Sequence, residues 1–161
     1  MRSFSSVHLA LLFAILGSLL AVFVPTFARN VYASRLTEPV EGLQHLATWA
    51  SSQAAGYPTD LAYPSSVGRT PQQVPAGVAV RDPEGTWTHA TWKLLGFKKV
   101  DPHYYAFEFE SVNTTNGANF TARAFGDLDG DGELSRFELF GETRPGAHPS
   151  IYSIRMDREV E

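Results

Sequence analysis

The chain has 161 residues, 43% of them hydrophobic and 19% charged, which suits a globular domain with a real core and not a disordered segment. A net charge of −4 with histidine neutral offers no basic face for nucleic acid. The absence of cysteine excludes disulfides, thiol catalysis and cysteine-ligated metals.

The N-terminus carries the strongest pattern. From Ser3 to Ala28 no residue has a fixed charge, and His8 is the one titratable side chain. Within it, "LALLFAILGSLLAVFV" runs from Leu9 to Val24 and is followed by Pro25, Thr26 and Phe27. A helix needs about 20 such residues to cross a bilayer core, with about 17 as a lower limit. One reading is a secretory signal peptide cleaved near Thr26–Ala28 or Val31–Ala33. The other is a retained membrane helix that continues beyond the bilayer.

The following residues bear on that choice. Leu36, Val40, Leu43, Leu46, Ala47, Ala50 and Ala54 recur at steps of three and four, which marks one face of a helix. Pro39 predicts a kink, Gly42 a weak point, and Gly56–Tyr57–Pro58 a stop. An apolar helix running straight into an amphipathic one is an unusual sequel to a cleaved signal. The spacing therefore predicts one long helix, with a membrane half over 4–28 and an amphipathic half over 29–56.

A globular head is predicted over 57–161. It opens with a Pro-rich loop over 58–85, where prolines and glycines recur too closely for a helix or a central strand. "TWTHATWKLLGF" predicts one short helix with Trp87, Thr91, Leu94 and Leu95 inward and Gly96 as its stop. Four segments then alternate with strand period, between about 104 and 157. Tyr105, Phe107 and Phe109 share one face; so do Phe120, Ala122 and Ala124, then Phe137 and Leu139, then Tyr152, Ile154 and Met156. Turn signals at Asn116–Gly117, Asp129–Gly132 and Pro145–Gly146 separate them. The expected fold is α+β: a four-stranded antiparallel sheet whose apolar face is covered by the amphipathic half of the helix.

One connection carries chemistry. In "GDLDGDGELSRFE", Asp127, Asp129, Asp131, Glu133, Ser135 and Glu138 fall at the ligand positions of an EF-hand loop, with Gly132 at the sixth position. An EF-hand needs a helix on each side, whereas both flanks here read as strands. Two readings stay open: a hairpin loop that binds calcium, and a solvated Asx-rich turn that binds nothing. The five histidines have no metal-ligand spacing and read as surface or partner-facing residues. No nucleophile elbow or phosphate-binding glycine loop is present, so no enzyme is expected.

The layout of the first helix resembles that of type IV pilins and pseudopilins. In that family a short basic leader ends in glycine, and cleavage exposes a phenylalanine that becomes N-methylated. An uncharged helix follows, with a glutamate near its start, a glycine near its middle and a proline beyond it. Here 1–3 would be the leader and Phe4 the first mature residue, with Gly17 and Pro25 at the matching distances. Ser3 stands at the place of the leader glycine and His8 at that of the glutamate; neutral imidazole cannot supply the glutamate's charge. "GTWTHATWKLLGF", "DPHYYAFEFES" and "GANFTARAFGDLDGDGELSRFELFGE" are similar to heads of pilin-like proteins from deltaproteobacteria, particularly myxobacteria. The resemblance implies a structural subunit of a type IV pilus or a type II secretion-like filament, with partner subunits bound through the apolar helix and processing by a prepilin peptidase. It implies an inner-membrane protein with a periplasmic head, or an extracellular filament. The alternative is a secreted or periplasmic binding domain behind a cleaved signal, with a calcium-binding acidic hairpin.

Overall fold

The computed structural model describes residues 6–157, without the side chains of 8 and 28–34. The elements are α1 (Ser6–Ala54), β1 (Val67–Thr70), α2 (Ala90–Leu94), β2 (Tyr105–Thr114), β3 (Gly117–Gly126), β4 (Ser135–Thr143), β5 (Ser150–Ile151) and β6 (Arg155–Asp157), with a 3-10 turn at Thr59–Leu61. The class is α+β, with an apolar N-terminal helix and an antiparallel sheet. The chain divides into two units between Leu36 and Thr37, so α1 contributes to both.

In the second unit, α1 buries the stripe that its spacing marks. Leu43, Leu46, Ala47 and Ala50 are at most 1% exposed, while Gln44 and Thr48 face solvent. The stripe meets the inner face of the sheet closely. A Cβ at Gly42 would overlap the ring of Phe107, so a backbone without a side chain is what lets that ring reach the helix. Glu38 ties the same end of the helix down: it accepts the Tyr104 amide at 3.0 Å and lies 3.5 Å from Lys99 Nζ. Gly42, read from sequence as a weak point, is thus a packing requirement.

The sheet has six strands, in the order β1-β2-β3-β4-β5, with β6 also on β4. Its centre is an uninterrupted meander in which Tyr105 faces Gly126 and Phe125 faces Arg136. The inner face alternates as the sequence predicts. Phe107, Phe109, Phe120, Ala122, Ala124 and Phe137 are fully buried, and Phe109 stacks on Phe120 at 5.3 Å.

Both sheet edges depart from the sequence reading. β1 lies inside the tract predicted to be loop, and its pairing with β2 shifts register between Val67 and Thr70. The fourth predicted strand is broken: β5 pairs at Gly141 and Glu142, β6 at Arg136–Glu138, with a one-residue change of register between them. Tyr152 and Met156 are exposed there, so this segment does not contribute an apolar face. At an edge, burial no longer enforces alternation, and a bulge is tolerated.

The short helix expected in "TWTHATWKLLGF" forms over its middle, "ATWKL", as α2, with His89 Nδ1 capping the Thr91 amide and Gly96 ending the segment at φ +59°. Its inward face differs from the expected one. Trp92, Thr91 and Leu95 are buried, while Leu94 is 53% exposed and Trp87 is half-buried. Trp92 packs on Trp87 and Phe97, and its indole donates to Thr70 Oγ1 at 3.0 Å, which fastens α2 to the edge strand.

Two substitutions test this packing. Gly42→Ala is expected to destabilise the protein by about 1–3 kcal/mol or more, because the ring of Phe107 must move. Gly17→Ala, where an added Cβ meets nothing within 4 Å, is expected to be neutral or to stabilise by up to about 1 kcal/mol. Thermal melting in detergent compares the two; equal effects would contradict the close approach. Tyr63 gives a pH-dependent test. Its buried hydroxyl has no hydrogen-bond partner among the described residues, and burial with the nearby Glu142 carboxylate pushes its pKa up to about 12. The folded protein therefore keeps a proton that the unfolded chain loses near pH ~10. This contribution is complete below pH ~10 and is lost as pH rises towards about 12. Tyr63→Phe should remove that alkaline loss and be neutral or stabilising by about 1 kcal/mol at pH ~7.

Candidate functional site

Two features stand out: the apolar part of α1, and the loop joining β3 to β4. In the first, Leu9–Phe27 forms 19 residues that are long and apolar enough to cross a membrane, and none of that span is buried within the structure. A membrane anchor and a signal sequence share this length and composition. Its two hydroxyl side chains are satisfied locally. Ser18 Oγ donates to the Ala14 carbonyl and Thr26 Oγ1 to the Val22 carbonyl, each at 2.8 Å. Neither therefore needs water, which is the condition a lipid environment imposes. Gly17 and Pro25 both lie within α1. Ser3 and Phe4 lie outside the described residues, as does the side chain of His8.

The acidic loop is built on the ends of β3 and β4. Gly126 pairs with Ser135, whose hydroxyl donates to the Gly126 carbonyl at 3.1 Å and closes the base. Leu128 turns inward and is 3% exposed, so the chain between Asp127 and Asp129 is pinned by burial. Asp127 is also buried. Its two carboxylate oxygens accept the amides of Gly130 at 2.7 Å and Gly132 at 3.2 Å. Gly130 and Gly132 have φ of +80° and +90°, which glycine adopts without strain. Asp129 accepts the Asp131 amide, and Asp131 accepts the Glu133 amide. From outside, Gly77 at φ +67° donates its amide to the Asp127 carbonyl at 2.8 Å, so the Pro-rich tract buttresses the loop.

Of the six residues with EF-hand spacing, the structure brings three together. Asp127, Asp129 and Asp131 each offer an oxygen, and all three lie within 4.8 Å of one another. Calcium–oxygen distances of about 2.3–2.6 Å allow a single ion to touch oxygens spread over that span. Calcium takes six to eight oxygens, so carbonyls and water would have to complete the shell. The other three residues are placed differently. Ser135 serves the base of the hairpin, and the Glu133 side chain is exposed. Glu138 sits on β4 opposite Arg123 and accepts from its Nε at 2.8 Å. A strand in place of the second EF-hand helix turns the twelfth-position glutamate onto the outer face of the sheet.

Arg123 organises that outer face. Its Nη1 donates to Glu108 at 2.7 Å and to Glu110 at 2.9 Å. Burial opposes the charge of this guanidinium, but hydrogen bonds to Glu138, Glu110 and Glu108 outweigh that and hold its pKa above the ordinary arginine value. The strand spacing could have revealed this clamp, since Glu108 and Glu138 lie directly opposite Arg123 once the register is known.

His103 also departs from its expected surface position. It is 2% exposed, with Nε2 2.8 Å from Asp82 and Nδ1 2.8 Å from the Tyr105 carbonyl. Trp87 Nε1 donates to the same Asp82 oxygen at 2.7 Å. This cluster fastens the segment around Asp82 to the start of β2, where Val80 and His103 exchange backbone hydrogen bonds. Every polar atom named here has a structural partner.

No family model matches the chain, and neither a curated protein nor a solved structure matches it.

The loop's capacity for calcium is testable directly. If its carboxylates hold the ion, millimolar calcium should raise the melting temperature, by about 2.7 kcal/mol of stabilisation at a hundredfold excess over Kd. Asp129→Ala should abolish that response without unfolding the protein. A melting curve indifferent to calcium would leave the loop as an Asx-rich turn.

Proposed function

We propose that this chain is a pilin-like structural subunit that assembles with other such subunits through its apolar N-terminal helix. The observation that carries this reading is the combination within α1. An uncharged, wholly exposed stretch over Leu9–Phe27 belongs to the same helix as the stripe of Leu43, Leu46, Ala47 and Ala50 on the sheet. A cleaved signal has no use for such continuity, because removing it would cut the chain within one helix.

The apolar half also has a face suited to close helix packing. Ala10, Ala14, Gly17, Ser18 and Ala21 recur at steps of three and four, and small residues at that spacing let helix backbones approach in lipid. Burial of such helices against one another would drive assembly, and no reaction is required of the protein. Phe4, His8, Gly17 and Pro25 would serve that assembly, with cleavage between Ser3 and Phe4 and the head on the outer side of the inner membrane or in an extracellular filament.

Mass spectrometry of the native N-terminus, with membrane fractionation, tests the proposal. An N-methylated start at Phe4 is the expected result. An intact Met1 in the membrane fraction would mean an unprocessed anchored homologue. A soluble product starting at Arg29 or Ser34 would sink the reading in favour of a secreted domain.

A further inference from the structure

We propose that the heads of successive subunits dock head-to-tail. A patch around Trp49, Leu94, Lys93 and Lys98 on one copy receives the Asp129–Asp131 loop of a second copy. The inference rests on the assembly reading above and names where the heads meet.

The patch is built by the solvent edge of α1. Trp49 lies between buried positions of the stripe, yet it is 48% exposed. Its indole packs over Gly96, where an added Cβ would stand 3.5 Å from the ring. One turn to either side, the same helix edge grips the C-terminal end of α2. His45 Nε2 lies 3.2 Å from the Leu95 carbonyl, and Gln53 Nε2 donates to the Leu94 carbonyl at 3.2 Å. These bonds hold the Leu94 and Leu95 carbonyls against the helix edge that carries Trp49, and the exposed Lys93 and Lys98 flank this segment along the chain. The result is a fixed surface with a large aromatic ring, a leucine that is 53% exposed, and two exposed lysines. Neither lysine forms an ion pair among the described residues.

Charge selects the occupant. The chain has a net charge of −4. Its densest group of carboxylates among the described residues is Asp127, Asp129 and Asp131. Asp129 and Asp131 are exposed and, like the two lysines, form no ion pair among the described residues. One copy thus has an unmatched cationic surface with an apolar centre, and an unmatched anionic loop elsewhere on the head. Patch against patch would set lysine against lysine, which complementary interfaces avoid. Patch against loop leaves each added copy with a free patch or a free loop, and a heterologous contact of this kind propagates into an open array. Trp49 and Leu94 supply apolar area at the centre, and the lysines set orientation.

The absence of cysteine makes a crosslinking test clean. Full-length chains carrying Leu94→Cys and Glu133→Cys are co-expressed and oxidised in native membranes, beside an Ala14→Cys chain that reports contact between apolar helices. The expected result is a mixed 94–133 disulfide in excess of either homodimer. Lys93→Glu with Lys98→Glu on the first chain should lower its yield at least about tenfold. Asp129→Lys with Asp131→Lys on the second should restore it. A 94–94 disulfide alone would overturn the head-to-tail arrangement, as would a 94–133 yield indifferent to charge reversal. Crosslinking through Ala14→Cys without any 94–133 product would overturn the docking and leave helix-driven assembly standing. No crosslink at any of these positions would overturn both.

Discussion

The head depends on how closely one helix lies on one sheet. Phe107 reaches the backbone of α1 because Gly42 has no side chain in its way. From that ring, the aromatic core extends to Phe97 at 4.9 Å, and from Phe97 to Trp87 and Trp92 at 5.5 Å each. Glu38 fixes the helix at the same end by capping the Tyr104 amide. Moving the helix outward by one methyl group would loosen all of these contacts at once, since packed interiors have little room to absorb such a change.

The two faces of the sheet use opposite physics. The inner face is apolar and takes its specificity from shape. The outer face takes its order from charge, with Arg123 bridging carboxylates on both neighbouring strands. Arg136 extends this row from β4 to Asp157 on β6 at 2.9 Å. Such pairs are individually weak at a surface. Several acceptors sharing one planar guanidinium are better than isolated pairs, and here they tie β2, β3 and β4 across the register.

Much of this was legible in the sequence, because burial leaves a periodic signature. The stripe from Leu43 to Ala54 and the alternation in β2, β3 and β4 are readable without coordinates, since each element has one wet and one dry side. Where that asymmetry fails, so does the reading. β1 is too short and proline-flanked to show a period, and β5 and β6 are exposed throughout. His103 gave no signal because its partner Asp82 lies 21 residues away on a segment without regular structure. In the acidic loop, the spacing found the converging aspartates. It also included Glu138, because EF-hand numbering assumes a helix where the chain has a strand.

The shifted register at both sheet edges has a consequence for how such a chain can be stored. A long, regular edge strand is a template on which another copy can add its own strand, and a protein held at high local concentration is most exposed to that hazard. Here β1 is short and out of step with β2, and the opposite edge is split between β5 and β6. Neither edge offers an even row of amides and carbonyls to a newcomer. A pool of these chains could therefore be crowded without its sheets fusing, which leaves ordered association to surfaces made of side chains.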